Sequence, residues 1–233
     1  MSQTNFSKKN KAPKEQMTSF KELSFGEKVS YIFGYYKYYM RAFVITALVI
    51  ASFIHSYIRN NYDIVCSIIA VDGKITGYDS QSDAINKGFT EYLGIDGKST
   101  RVEINYNHSL IPKPLDQEAA VTQDKIYILA STGSLDGYMA NTDYIDYFCT
   151  EDQIFFYDLR EILTAEELDK IGEENIIYHT KEDKTKTPIA VNMTNTKIKT
   201  ETDFTMKNPC YGVVISSKNV DNAVAFIRYA FDL

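Results

Sequence analysis

Between Arg41 and Arg59 the chain lacks charge altogether: the seventeen residues Ala42 to Ile58 contain no Asp, Glu, Lys or Arg. Cysteine is scarce as well. Its three copies, Cys66, Cys149 and Cys210, form no CxxC pair, and an odd count excludes a complete disulfide framework. The expectation is buried thiols, or at most one opportunistic pair. Catalytic signatures are missing too, with no nucleophile elbow, zincin motif or Walker loop, so the sequence names no reaction, cofactor or metal. Finally, basic charge is sparse in the body. Residues 1–41 hold eight Lys/Arg against three Asp/Glu, whereas residues 60–233 hold sixteen against twenty-eight, which makes the head +5 and the body −12. A body that acidic repels phosphate backbones and argues against a nucleic-acid partner.

What the uncharged run does contain is apolar: thirteen of its seventeen residues. At about 1.5 Å per residue they cover roughly 25 Å of helix, near the short end for a bilayer core. The flanks add the rest. Tyr35, Tyr36, Tyr38 and Tyr39 on one side, and Tyr57 and Tyr62 on the other, form aromatic belts, and Arg41 and Arg59 can snorkel outwards. His55 and Ser56 lie within a turn of Arg59 and read as interfacial. A cleaved signal needs a short leader and a small-x-small site, but forty-one residues precede the run and "SFIHSYI" offers none. The segment therefore reads as a retained anchor in a lipid bilayer. The Lys/Arg excess before it puts the N-terminus in the cytoplasm and the body outside.

Residues 1–23 read as a disordered basic tail, 24–60 as a juxtamembrane and transmembrane helix, and 61–233 as an extracytoplasmic α/β domain. "SFGE", Ser24 to Glu27, has capping-box spacing, and Val29, Ile32, Phe33, Tyr36 and Met40 recur at helical intervals. In the body, "DIVCSIIAV" is an apolar run that suits a strand covered on both faces. A helix with Ile85, Phe89, Tyr92 and Leu93 on one face follows. Then "TRVEINYN" alternates, with Val102, Ile104 and Tyr106 facing in. Strand, helix, strand is the start of a parallel α/β unit.

"KIYILA" fits either a strand or the end of a helix that begins near Asp116. Taken as a helix containing Ala119, Ala120, Ile126, Leu129 and Ala130, followed by "GSLD" and a short strand "LDGYMA", the stretch resembles the type 2 periplasmic-binding (solute-binding) fold. "NTDYIDYF" then corresponds to a short helix, "IFFYDLREILTAEEL" to the segment after it, "TPIAVNM" to a return into the sheet and "CYGVVISSKNVDNAVAFIRYAF" to a closing strand and helix. The whole is similar to single-anchor extracytoplasmic proteins of Gram-positive bacteria. This resemblance implies a doubly wound sheet, and a body this short has room for a reduced second lobe at most.

Ligands of doubly wound folds collect at the carboxyl ends of strands. That rule selects Asp72, Tyr78 and Ser80 after the first strand and Asn141 and Thr142 after the strand that Asp136 opens, with Asn192 and Tyr211 as weaker additions. Asp136 suits a structural role, accepting backbone N–H groups in a tight turn. The set lacks a cation cluster, so a neutral or cationic small molecule fits it better than an anion. His108 and His179 sit among polar residues and read as surface histidines, and Glu166 and Glu167 in "TAEE" as helix-start residues. The function expected is a non-catalytic, membrane-tethered binding or interaction module, whose partner is a small molecule or another membrane or envelope protein. The alternatives are an extracytoplasmic hydrolase that uses acidic residues and a structural anchor subunit of an envelope complex.

Overall fold

No proline interrupts residues 25–60, and helix α1 (Phe25–Asn60) runs through them without a break, so the juxtamembrane helix and the apolar span are one element. The computed structural model describes residues 24–75, 83–110 and 118–233. Within α1, Tyr36–Asn60 is long and apolar enough to cross a membrane, and its apolar window is entirely unburied by protein. The chain divides at Asn60/Asn61 into two compact units, the second of which, Asn61–Leu233, carries the sheet.

This second unit contains β1 (Asp63–Val71), α2 (Ala84–Tyr92), β2 (Thr100–His108), α3 (Glu118–Ser131), β3 (Gly137–Asn141), α4 (Leu159–Ile162), α5 (Ala165–Ile171), β4 (Ile176–Thr180), β5 (Lys186–Asn192), α6 (Lys197–Thr200), β6 (Pro209–Val213) and α7 (Val220–Phe231). Its strands form one six-stranded sheet in the order β2-β1-β3-β6-β5-β4. β1 is parallel to both β2 and β3, whereas β6 runs antiparallel to β3 and β5, and β4 antiparallel to β5. The sheet is therefore mixed. The parallel unit expected from the first two strands holds for β2-β1-β3, where β1 is an inner strand, and the antiparallel β6 separates this trio from β5. One sheet is present among the described residues, with no second lobe beside it.

Both faces of the sheet are covered, which gives two cores. On one face Ile68, Ile104, Met139 and Tyr211 pack against Ile85 and Phe89 of α2 and Ala223, Phe226 and Ile227 of α7. On the other, Ile69, Tyr138, Ala140 and Ile189 meet Ile126 and Ala130 of α3 and the aromatic cluster Phe148, Phe155 and Phe156. Burying side chains of this size contributes about 1.5–3 kcal/mol each. From α7 the buried residues are Ala223, Val224, Phe226, Ile227 and Ala230.

Local signals set the element ends. Thr164 and Glu167 form a reciprocal capping box at the start of α5, as "TAEE" promised. Gly133, at φ +64°, ends α3: its N–H donates to Ala130 O and the Ser134 N–H to Leu129 O, the paired bonds of a left-handed helix stop. A Cβ at Gly133 would lie 2.9 Å from Ser216 O. "NTDYIDYF" corrects the sequence expectation, since it forms successive turns and not a helix. The N–H groups of Tyr144, Tyr147 and Cys149 reach back three residues to Asn141, Tyr144 and Asp146. This tighter winding turns both Ile145 and Phe148 into the core, where the Phe148 ring meets the edges of Tyr138 and Tyr127.

Candidate functional site

The candidate residues separate into two places. Ala70 pairs with Met139, so Asp72 and Asn141 terminate neighbouring parallel strands, and Thr142 follows Asn141. Asn141 pairs in turn with Pro209 at the start of β6, and Asn192, at the end of β5, with Cys210. Asp72, Asn141, Thr142 and Asn192 therefore line one carboxyl-terminal rim. Asp136 precedes β3 at the opposite end of that strand. Tyr78 and Ser80 lie outside the described residues. Tyr211 belongs to the core instead of the rim: it is fully buried and its hydroxyl donates to Ala223 O at 3.1 Å.

Each rim side chain is already engaged, Asn141 and Asn192 within their own turns, Asp72 with the segment after β2 and Thr142 with β6. Asp72, in the left-handed region at φ 57°, accepts from the Ser109 hydroxyl at 2.5 Å and the Leu110 N–H at 3.1 Å. Asn141 Oδ1 accepts from Asp143 N–H at 2.9 Å, and Asn192 Oδ1 from both the N–H and hydroxyl of Thr194. Thr142 Oγ1 sits 3.6 Å from Cys210 Sγ. These bonds use one amide oxygen apiece and leave the Asn141 and Asn192 NH2 groups as donors. Asn192 also lines a polar cleft of about 370 Å³, together with Asn175, Asn195 and Thr200 and the charged Lys170, Lys197, Glu174, Glu201 and Asp232. That volume lies in the range of small-molecule sites. Beneath the rim, burial and the neighbouring Asp72 carboxylate push the Tyr138 hydroxyl well above its ordinary value.

Asp136 is a tertiary hub. It is 1% exposed, and its carboxylate accepts from Ser67 N–H at 2.8 Å, the Ser217 hydroxyl at 2.6 Å, and both the backbone and side-chain N–H groups of Asn219. It thereby ties β1 to the entry of α7. Sequence reading placed such bonds within the local turn; the partners lie 69 to 83 residues away. Asn219 carried the one readable signal, as a helix-start residue.

The histidines occupy separate surroundings. His108, half-buried at the end of β2, has Nε2 3.1 Å from Lys125 Nζ; burial, followed by this cation, lowers its pKa. His179 corrects the surface reading: it is 8% exposed, because its place in β4 turns it inward. Its ring nitrogens make no hydrogen bond, and Asp146 Oδ2 lies 3.9 Å from Nδ1. Asp83, the N-cap of α2, is equally enclosed. Its Oδ1 accepts from Asn86 N–H and the Tyr106 hydroxyl, its Oδ2 is unpaired, and burial raises its pKa. Asp136, His108 and His179 share no bonding partner among the described residues. All three thiols are free, and burial raises their pKa values, that of Cys210 to about 11. No cluster of three or more His, Cys, Asp or Glu suited to a metal occurs among the described residues. Searches of family models, of curated proteins and of solved structures yield no match to this chain.

Proposed function

We propose that the protein is a single-pass membrane-anchored binding module without catalytic activity, its α/β domain extracytoplasmic and its ligand surface the carboxyl-terminal rim. The observation that carries this reading is α1: an apolar span of 25 residues, none of its apolar window buried by protein, continues into a folded α/β unit that holds no comparable helix among its described residues. Water exposes such a surface at high cost, and lipid removes that cost. The +5 head before the span supports the sidedness.

For the rim, support comes from a parallel trio wound with helices on both faces, the arrangement in which strand ends bind ligands. Neutral amide donors at Asn141, on the strand beside Asp72, and at Asn192, farther along the rim, suit a neutral or cationic small molecule. Two measurements on the full-length chain test the reading. A membrane-impermeant thiol reagent on intact cells labels a Lys207→Cys variant if the domain is outside, and labelling only after lysis overturns the sidedness. Thermal unfolding in detergent against a panel of neutral and cationic metabolites gives a raised midpoint with the true ligand. No shift across the panel, with labelling intact, would leave a protein-interaction module in place of a solute binder.

A further inference from the structure

The α/β unit has two poles along its strand direction. At the amino pole β1 and β2 begin side by side, Asp63 opposite Thr100. Three bonds bring other elements to the same pole. Val214 N–H donates to Asp136 O, Ser216 Oγ to Ala130 O near the end of α3, and Asn222 Nδ2 to Val65 O at the start of α7. The end of α2, with Tyr92, leads into this pole just before β2.

Large apolar side chains are exposed at seven positions of the unit among the described residues, and four of them belong to this pole: Ile64 (41%), Tyr92 (45%), Ile128 (61%) and Ile215 (50%). The other three, Val121, Tyr127 and Tyr147, lie on α3 and the turn beside it. Tyr62 adds an aromatic ring, 3.9 Å beneath the Arg101 guanidinium. Charges at the pole are mixed, with Lys98, Arg101 and Lys218 against Asp63, Glu91, Asp96, Asp221 and the buried Asp136. Most of the body's net −12 is therefore carried elsewhere.

Connectivity says what covers this patch. Only Asn61 and Tyr62 separate the end of α1 from the start of β1, a link of at most about 11 Å. If α1 spans a bilayer, as proposed above, the pole where β1 begins is held within reach of the headgroup layer. We propose that the amino pole docks on the membrane itself, with Ile64, Tyr92, Ile128 and Ile215 seated at the lipid interface. A lipid surface fits the chemistry: aliphatic side chains, tyrosine rings and long cations mixed with little net charge are what the interfacial zone accepts. The carboxyl-terminal rim then faces away from the bilayer, open to soluble partners. Apolar seating with little net charge also predicts contact that high salt does not release.

The absence of tryptophan makes the test direct, because a single introduced Trp is the sole indole in the chain. Full-length Ile215→Trp, Tyr92→Trp, Lys207→Trp and Val49→Trp variants are reconstituted into vesicles whose lipids carry bromine near the glycerol ends or near the methyl ends of the acyl chains. Val49→Trp reports whether α1 spans, and loses most of its emission to the deep bromines if it does. Docking predicts that Ile215→Trp and Tyr92→Trp lose most of theirs to the shallow bromines, in low and in high salt alike, while Lys207→Trp at the opposite pole keeps its emission. A quenched Val49→Trp with unquenched Ile215→Trp and Tyr92→Trp overturns the docking and spares the anchor; an unquenched Val49→Trp overturns the anchor and the docking with it. Equal quenching at both poles also overturns the docking.

Discussion

Asp136 shows how a single carboxylate reads differently in one and three dimensions. Its place before a strand was visible, but its partners on Ser67, Ser217 and Asn219 were not, because nothing local pairs residues so distant in the chain. Its buried lone pairs are occupied by protein donors, and removing it strands the Ser67 and Asn219 N–H groups out of water. Each such orphan costs about 1–3 kcal/mol, so Asp136→Ala should lose roughly 3 kcal/mol in urea unfolding of the full-length chain. If Asp136 were instead a ligand group, stability would hold and only a ligand response would change. Asp72, Asn141 and Thr142 make the opposite case. The strand-end rule placed them at the rim without any contact information, since chain direction alone decides which end of a strand they occupy. His179 was misread because polar neighbours along the chain say nothing of which face of β4 the ring takes.

The elements were legible where one local period dominates. β1 and β2 emerged with almost the expected bounds because an apolar run and a clean alternation admit few other structures. The stretch 142–149 did not, since its winding is decided by the need to bury Ile145 and Phe148 together. α5 combines both influences: its capping box is local, yet Glu167 also accepts a 2.6 Å bond from Arg228 of α7. The Arg228 bond is the main cause holding the Glu167 carboxyl at about 2, below its ordinary 4.5. A depressed carboxyl stabilises the fold above its unfolded value and loses that contribution as pH falls toward its folded one. Glu167→Gln keeps the capping geometry and removes the charge. It should cost about 1 kcal/mol at neutral pH, a figure discounted for the partly exposed Arg228. The difference from the parent should shrink between pH 4.5 and about 2, as measured by urea midpoints across that range.

At the scale of the whole molecule, the apolar span governs where everything else works. A charge at its centre is the sharpest test. Val49→Arg should disfavour membrane insertion by about 3 kcal/mol, and it should shift full-length protein from the carbonate-resistant membrane fraction into the extractable one. Unchanged retention would mean that lipid does not hold this helix. The rim and the hydrophobic pole occupy opposite ends of one sheet, so the proposed docking and the proposed ligand surface would not compete for the same residues.

From its order alone, the chain determined a charge-free helix long enough for a bilayer, an acidic body, a parallel strand-helix-strand opening and a closing strand and helix. The first three rest on composition or on apolar runs and periods that neighbours in sequence set, and the closing strand and helix on the resemblance of the tail. Only the tertiary structure decided that β6 enters antiparallel between β3 and β5, that Asp136 joins β1 to α7, that His179 is enclosed, and that Ile64, Tyr92, Ile128 and Ile215 gather at one pole. Each of those facts is a meeting of segments far apart in the chain, and such meetings are chosen by how whole faces pack against one another.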